Sequence, residues 1–277
     1  MTLREYRNGF IHRLSRVVGI DEATGIFNIV LQNLTGMSRA ALAISDPVVS
    51  AEDHAQWEKV LERLLAHEPV QYVLGEAWFF SRRFSVNPNV LIPRPETEEL
   101  VQWIIDQARD SDTMLDIGTG SGCIAITLAL ETRAMVTALD VSAASLDVAR
   151  QNAVDLGAKV NFLQADILKH EPEGKFDVIV SNPPYVRVME KVEIKPNVLR
   201  HEPHLALFVS DDDALLFYRR ITSLAMECLK PGGWLYFEIN QYLGPETVAL
   251  MKAMGFADVQ LRQDLLGNDR MVRAIRT

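Results

Sequence analysis

The chain has 277 residues, 48% of them hydrophobic and 23% charged, which supports about two ordinary domains with full cores and excludes a disordered chain. Its net charge of −9 supplies no general basic field for a polyphosphate backbone, so nucleic acid is a disfavoured partner. Cys123 and Cys228 form no CxxC pair, which fits a reducing compartment without a zinc framework, and no apolar run is long enough to span a membrane.

Residues 1 to about 70 read as helices only. Arg4, Arg7, Arg13 and Arg16 hint at a targeting segment, but Leu3, Tyr6, Phe10, Leu14 and Val17 recur at helical spacing, as in the first helix of a bundle. In the next helix Asp21 is the expected cap, Ile26, Phe27, Val30, Leu31 and Leu34 the apolar face, and Gly36 the stop. A short helix follows Ser38. Ser50 then opens a helix with Trp57, Leu61, Leu64 and Leu65 on one face, and Pro69 prevents its continuation. From Val70 to Val90, aromatic and β-branched residues broken by polar turns predict a hairpin linking two domains.

After about residue 96, strands are expected near 113–117, 134–140, 159–164, 176–182, 233–239, 256–262 and 270–276. Helices are expected near 96–109, 121–132, 143–156, 213–229 and 245–254. Such alternation predicts an α/β fold with a mostly parallel sheet covered on both faces, its ligands beyond the carboxyl ends of the strands.

Two strand ends carry chemistry. "DIGTGSG" (116–122) is a strand, glycine turn and helix start, in which Gly118, Gly120 and Gly122 allow a tight turn and close approach of a ligand to the backbone. A dinucleotide site requires GxGxxG, and Cys123 occupies its third glycine. The GxGxG spacing instead resembles class I methyltransferases. Asp140 closes the next strand, where a carboxylate accepts ribose hydroxyls in either cofactor class. "NPPY" (182–185) ends a β-branched run. Asn182 is held extended by the following proline, the Pro183 carbonyl is available to accept a hydrogen bond, Pro184 stiffens the turn, and Tyr185 supplies a flat face. These features make a receptor for a planar NH2 group, whose hydrogens go to the Asn182 oxygen and the Pro183 carbonyl. A conjugated nitrogen is a poor nucleophile, so orientation is the main lever, worth roughly 7–11 kcal/mol of barrier. No general base is required. An adenine amine, a guanine amine and a glutamine amide all satisfy the loop.

"LIPRPETE" (91–98), the hairpin preceding it, and "EPHLALF" (202–208) with "FYRRI" (217–221) resemble the peptide chain release factor glutamine methyltransferases, the HemK/PrmC family, over essentially the whole chain. The resemblance implies a class I methyltransferase fold, Rossmann-like, with a seven-stranded sheet whose last strand is antiparallel. It further implies a helical N-terminal domain for substrate docking (1–70), a β-hairpin linker (71–95) and a catalytic domain (96–277). The implied reaction moves a methyl group from S-adenosylmethionine, leaving S-adenosylhomocysteine, to the glutamine of the Gly-Gly-Gln loop of class I release factors. By position, Gly118, Thr119, Gly120, Ser121, Gly122, Asp140, Asp166, Ile167 and Asn182 would hold the cofactor. Asn182, Pro183 and Tyr185 would be catalytic and, with Pro184 and Arg94, substrate-binding; Arg94, Glu96 and Thr97 would line the mouth. "SDDDALL" (210–216), "FEIN" (237–240) and Ile167 depart from the family's glycine-rich loop, "FEIG" and aromatic residue. The enzyme is expected to be a cytoplasmic monomer with no metal: Pro203 breaks helical geometry between His201 and His204. Asp213 caps a helix or touches a ligand. The weighed alternatives are a nucleic-acid amino methyltransferase and a non-catalytic S-adenosylmethionine sensor.

Overall fold

The computed structural model describes residues 1–110 and 112–277. The chain folds into two compact units, Met1–Glu76 with Lys195–His201, and Ala77–Ile194 with Glu202–Thr277.

The first unit contains α1 (Leu3–Val18), α2 (Ile20–Thr35), α3 (Arg39–Ile44), α4 (Ala51–Leu65) and α5 (Val70–Leu74). Thr2, Ser38 and Ser50 cap α1, α3 and α4 through their side chains, and Gly36 in the left-handed region ends α2. Asp21 is not a cap: Gly19 precedes the helix, and Asp21 sits in its first turn, where its charge suits the dipole. Trp57 is the centre of this core, stacked on Phe27 at 5.3 Å and edge-on to Phe10 and Tyr6.

Residues 70–74 are helical rather than part of the expected hairpin. Pro69 pre-sets the entry, Gly75 closes the turn in the left-handed region, and burial of Val70, Tyr72 and Val73 outweighs their strand preference. The hairpin is shorter, β1 (Glu76–Phe79) with β2 (Arg82–Ser85). Its Phe79 and Phe84 belong to the buried cluster of the second unit.

The second unit continues with α6 (Pro95–Ile105), β3 (Thr113–Ile117), α7 (Cys123–Glu131), β4 (Met135–Asp140), α8 (Ala143–Leu156), β5 (Val160–Gln164), β6 (Phe176–Ser181) and β7 (Val186–Arg187). Beyond α9 (Pro196–His201), which falls in the first unit, come α10 (His204–Leu207), β8 (Phe208–Val209), α11 (Leu216–Cys228), β9 (Leu229–Glu238), α12 (Gly244–Ala253), β10 (Ala257–Gln263) and β11 (Asp269–Ile275). Among the described residues seven strands form one sheet in the order β10-β11-β9-β6-β3-β4-β5, with β11 running opposite to the other six.

Side-chain alternation divides the core. Met114, Val178, Val180 and Tyr236 enter a cluster with α6 and α7; Leu115, Ile179, Leu235 and Phe237 enter another with α11 and α12. Both faces are therefore covered, as a parallel sheet requires. From β3 the chain winds outward to β4 and β5, then returns to place β6 on the other side of β3. The reversal opens a crevice beyond the carboxyl ends of β3 and β6.

Candidate active site

Parallel register aligns the strand ends before any side chain is considered. Ile117 pairs with Leu139 and with Ser181, and Ser181 pairs with Phe237. The next residue of each strand path is Gly118, Asp140, Asn182 or Glu238, so four segments distant in sequence end in one row. The approach is close: a Cβ on Gly118 would stand 3.9 Å from the Asn182 carbonyl oxygen.

A cleft of about 400 Å³ lies over this row. Its walls include Gly118, Thr119, Gly120, Ser121, Asp140, Asp166, Ile167, Asn182, Pro183, Pro184, Arg94 and Thr97. Tyr185 and Glu96 are not in the wall. Tyr185, expected as a flat face over the acceptor, instead packs on the α11 side of the sheet and donates its hydroxyl to Glu238 Oε1 at 3.0 Å.

The glycine loop is shaped by its backbone. Gly118, Gly120 and Gly122 have φ of +78°, +55° and +82°, values that side chains disfavour. Gly120 N donates to Asp140 Oδ2 and Ser142 N to Asp140 Oδ1, both at 2.9 Å. Burial raises the Asp140 pKa despite these N–H groups, while remaining lone pairs can still accept hydroxyls. Asp116 lies fully buried beneath the loop and accepts from Thr119 Oγ1 at 2.7 Å; desolvation pushes its pKa up to about 7. Asp166 is held low by Lys169 and the Leu168 N–H, and beside it the buried Ile167 presents an apolar wall. Cys123 also borders the cleft, and burial pushes its thiol up to about 12, which makes it a poor nucleophile.

The 182–185 loop rests on a polar network centred on Glu238, a residue given no role in the sequence reading. Glu238, 1% exposed, accepts from Thr97 Oγ1 at 2.6 Å as well as from Tyr185. Burial raises its pKa, and the two hydroxyl donors with Arg270 oppose that shift. Thr97 is itself 2% exposed and lines the cleft. Asn240, the departure in "FEIN", donates from Nδ2 to the Tyr185 carbonyl at 3.0 Å and to Glu190 at 2.9 Å, replacing glycine's flexibility by a tether.

Two further residues join segments of the site. Glu202 accepts from Arg94 Nη2 at 2.6 Å and from the Ile92 N–H at 3.2 Å, uniting "LIPRPETE" with "EPHLALF". Asn152 exchanges hydrogen bonds with Ser85 and donates to the Ser121 carbonyl at 2.9 Å, pinning the hairpin to the glycine loop. Asp213 pairs with Arg219 at 2.8 Å outside the cleft wall. Among the described residues, no three His, Cys, Asp or Glu side chains gather in a metal-binding group.

The comparisons with known proteins agree with this architecture. Residues 96–204 match the methyltransferase small domain model and residues 5–75 the PrmC N-terminal domain model. A methyltransferase from Pyrococcus furiosus superposes with TM-score 0.55 at 20% identity, covering 78% of this chain and 96% of that one. The T. thermophilus 16S rRNA N2 G1207 methyltransferase, in complex with AdoMet and guanosine, gives 0.52 at 18%, covering 73% and 50%. The fold is thus that of a class I methyltransferase. Relatives named release factor glutamine methyltransferase are 48% identical over 99% of both chains in Flavobacterium psychrophilum and 38% identical over 98% of both in Streptococcus pneumoniae. The chain belongs to the release factor glutamine methyltransferase family.

Proposed function

We propose that this enzyme transfers a methyl group from S-adenosylmethionine to the side-chain amide nitrogen of the Gly-Gly-Gln glutamine of class I release factors. The supporting observation is the convergence of Asn182 and Pro183 with the glycine loop and Asp140 on one cleft. The donor set fits the cofactor: side-chain-free loop backbone at Gly118 and Gly120, a carboxylate at Asp140 for hydroxyls, and Asp166 beside apolar Ile167 for a ring bearing an amine. When bound, S-adenosylmethionine supplies an electrophilic methyl group on a positively charged sulfur.

The protein's own work is positioning. Asn182 Oδ1 and the Pro183 carbonyl accept the two hydrogens of the incoming carboxamide, fixing its plane and presenting its nitrogen to the cleft. Pro184 keeps that pair rigid, and Tyr185 holds the loop from below through Glu238. The displaced proton passes to water, and the row needs no general base. Arg94, fixed by Glu202, borders the substrate entrance. The helical domain, residues 1–70, assists docking of the factor, residues 71–95 connect it to catalytic residues 96–277, and the enzyme works as a cytoplasmic monomer. Among the described residues no helix is long and apolar enough to cross a membrane.

Labelled S-adenosylmethionine tests this with three acceptors: a release factor, the same factor with its loop glutamine changed to alanine, and tRNA. Label confined to the intact factor is expected; labelled tRNA would overturn the assignment. Asn182→Ala is expected to lower kcat on the order of 10²-fold through lost orientation while cofactor binding stays measurable, and full turnover would refute the acceptor geometry.

A further inference from the structure

An asparagine side chain has an acceptor branch and a donor branch, and only the acceptor suits an incoming NH2 group. A pocket for a carboxamide nitrogen therefore needs Asn182 in one of two orientations of nearly identical shape. We propose that Thr97 and Glu238 form a proton-ordered relay that makes this choice, and thus act as positioning residues. The proposal rests on the reading of the cleft as a carboxamide site.

Glu238 takes the Thr97 hydroxyl on Oε2 at 2.6 Å and the Tyr185 hydroxyl on Oε1 at 3.0 Å. Thr97 Oγ1 donates to Oε2 as the Tyr185 hydroxyl donates to Oε1, so the single hydrogen of Thr97 is spent on the carboxyl group. Toward Asn182 the Thr97 oxygen can then only accept. The branch of Asn182 facing it must be the amide nitrogen, as found, with Nδ2 to Thr97 Oγ1 at 3.4 Å. Oδ1 is consequently the other branch of a residue that lines the cleft, and among the described residues no protein donor is bonded to it. The same carboxylate fixes the hydrogen of Tyr185, so one buried group orders both ends of the acceptor loop.

Each member comes from a different element: Thr97 from the first turn of α6, Asn182 from the end of β6, Tyr185 from the loop and Glu238 from the end of β9. Arg270, paired with Asp264 at 3.2 Å, contributes a favourable field to the Glu238 charge, and Glu96 an opposing one. The relay gives Thr97 of "LIPRPETE" and Glu238 of "FEIN" a shared task that neither motif reveals alone.

The test compares Thr97→Val, Thr97→Ser and Glu238→Gln with wild type. It measures kcat and KM for a release factor, calorimetric affinity for S-adenosylmethionine, thermal melting, and the NMR signal of the Asn182 side-chain NH2. Valine keeps the shape of threonine and removes its oxygen, so kcat should fall roughly 10- to 100-fold, with cofactor affinity changed less than about 3-fold. Serine should restore kcat to within about 3-fold of wild type. Glu238→Gln keeps one acceptor where two hydroxyls need one, so either Thr97 or Tyr185 loses its partner and kcat should fall below wild type. The Asn182 NH2 resonances should move in Thr97→Val and return in Thr97→Ser. Folded Thr97→Val with wild-type kcat and unmoved resonances overturns the relay. A serine variant as impaired as valine, in both kcat and resonances, also overturns it. A wild-type enzyme inactive on the release factor, but with Thr97-dependent NH2 signals, removes the functional reading and supports the relay.

Discussion

Replacing Gly122 with alanine places two separable costs on one added atom. The backbone there has φ +82°, so a side chain enters the left-handed region at about 1–2 kcal/mol. The new Cβ would also stand 3.1 Å from Ala149 Cβ on α8, which presses α7 from α8, and 2.8 Å from Ile126 Cδ1, a side-chain end on α7 itself that can turn aside. Overpacking of that kind costs about 1–3 kcal/mol, giving about 2–5 kcal/mol in all. Gly120 provides the control, since its φ is +55° but nothing lies within 4 Å of its added Cβ; Gly120→Ala should lose only the backbone part. Urea unfolding in a Trp57→Phe, Trp78→Phe background follows the remaining Trp103 and Trp234, which report on the sheet. Equal losses for the two variants, or a Gly122→Ala variant within about 0.5 kcal/mol of wild type, would refute the packing argument.

Asp140→Ala should weaken S-adenosylmethionine binding by about 10- to 100-fold, the worth of one or two hydrogen bonds to a charged acceptor, as measured by calorimetry; unchanged affinity would remove Asp140 from the cofactor site. Asp116→Asn should alter stability with pH. Because its folded pKa lies near 7, above the usual 3.8, the wild type retains this contribution below about pH 3.8 and loses it as pH rises through about 7, at up to about 1.4 kcal/mol per pH unit. The variant should become relatively more stable across that window, and parallel wild-type and variant curves in pH-dependent denaturation would contradict the assignment.

What the sequence made legible was largely local. The strand ending at Ile117, the glycines after it and the proline stop after Ser181 each announce themselves within a few residues, because turn chemistry and strand composition are short-range. Parallel pairing then brings the two stops together. The start of β9 was less visible. "LKPGG" reads as a turn, yet Leu229 already pairs with Phe176, and a register shift absorbs the irregularity before Trp234 meets Val178. Gly233 permits that approach, since a Cβ there would lie 2.9 Å from the Asp177 carbonyl oxygen. At Val70 the strand preference was real but yielded to burial in the helical core.

The support of the acceptor loop was hidden for a different reason. Glu238 bonds Thr97 across 141 positions and Tyr185 across 53, while Glu202 reaches Arg94 across 108. No spacing rule spans such separations. A carboxylate inside an apolar strand was the available signal: "LYFEIN" places Glu238 between Phe237 and Ile239, where an unpaired charge would be costly.

The strand-end row also fixes the order in which its members are made during synthesis. Its members arrive in the order Gly118, Asp140, Asn182 and Glu238 as the chain is made, so the glycine loop and Asp140 precede the last support of the 182–185 loop. A nascent chain still holding β9 inside the ribosomal tunnel has neither the hydroxyl acceptor for Thr97 nor that for Tyr185. On the proposed reading, the 182–185 loop gains its buried support only after β9 has been made.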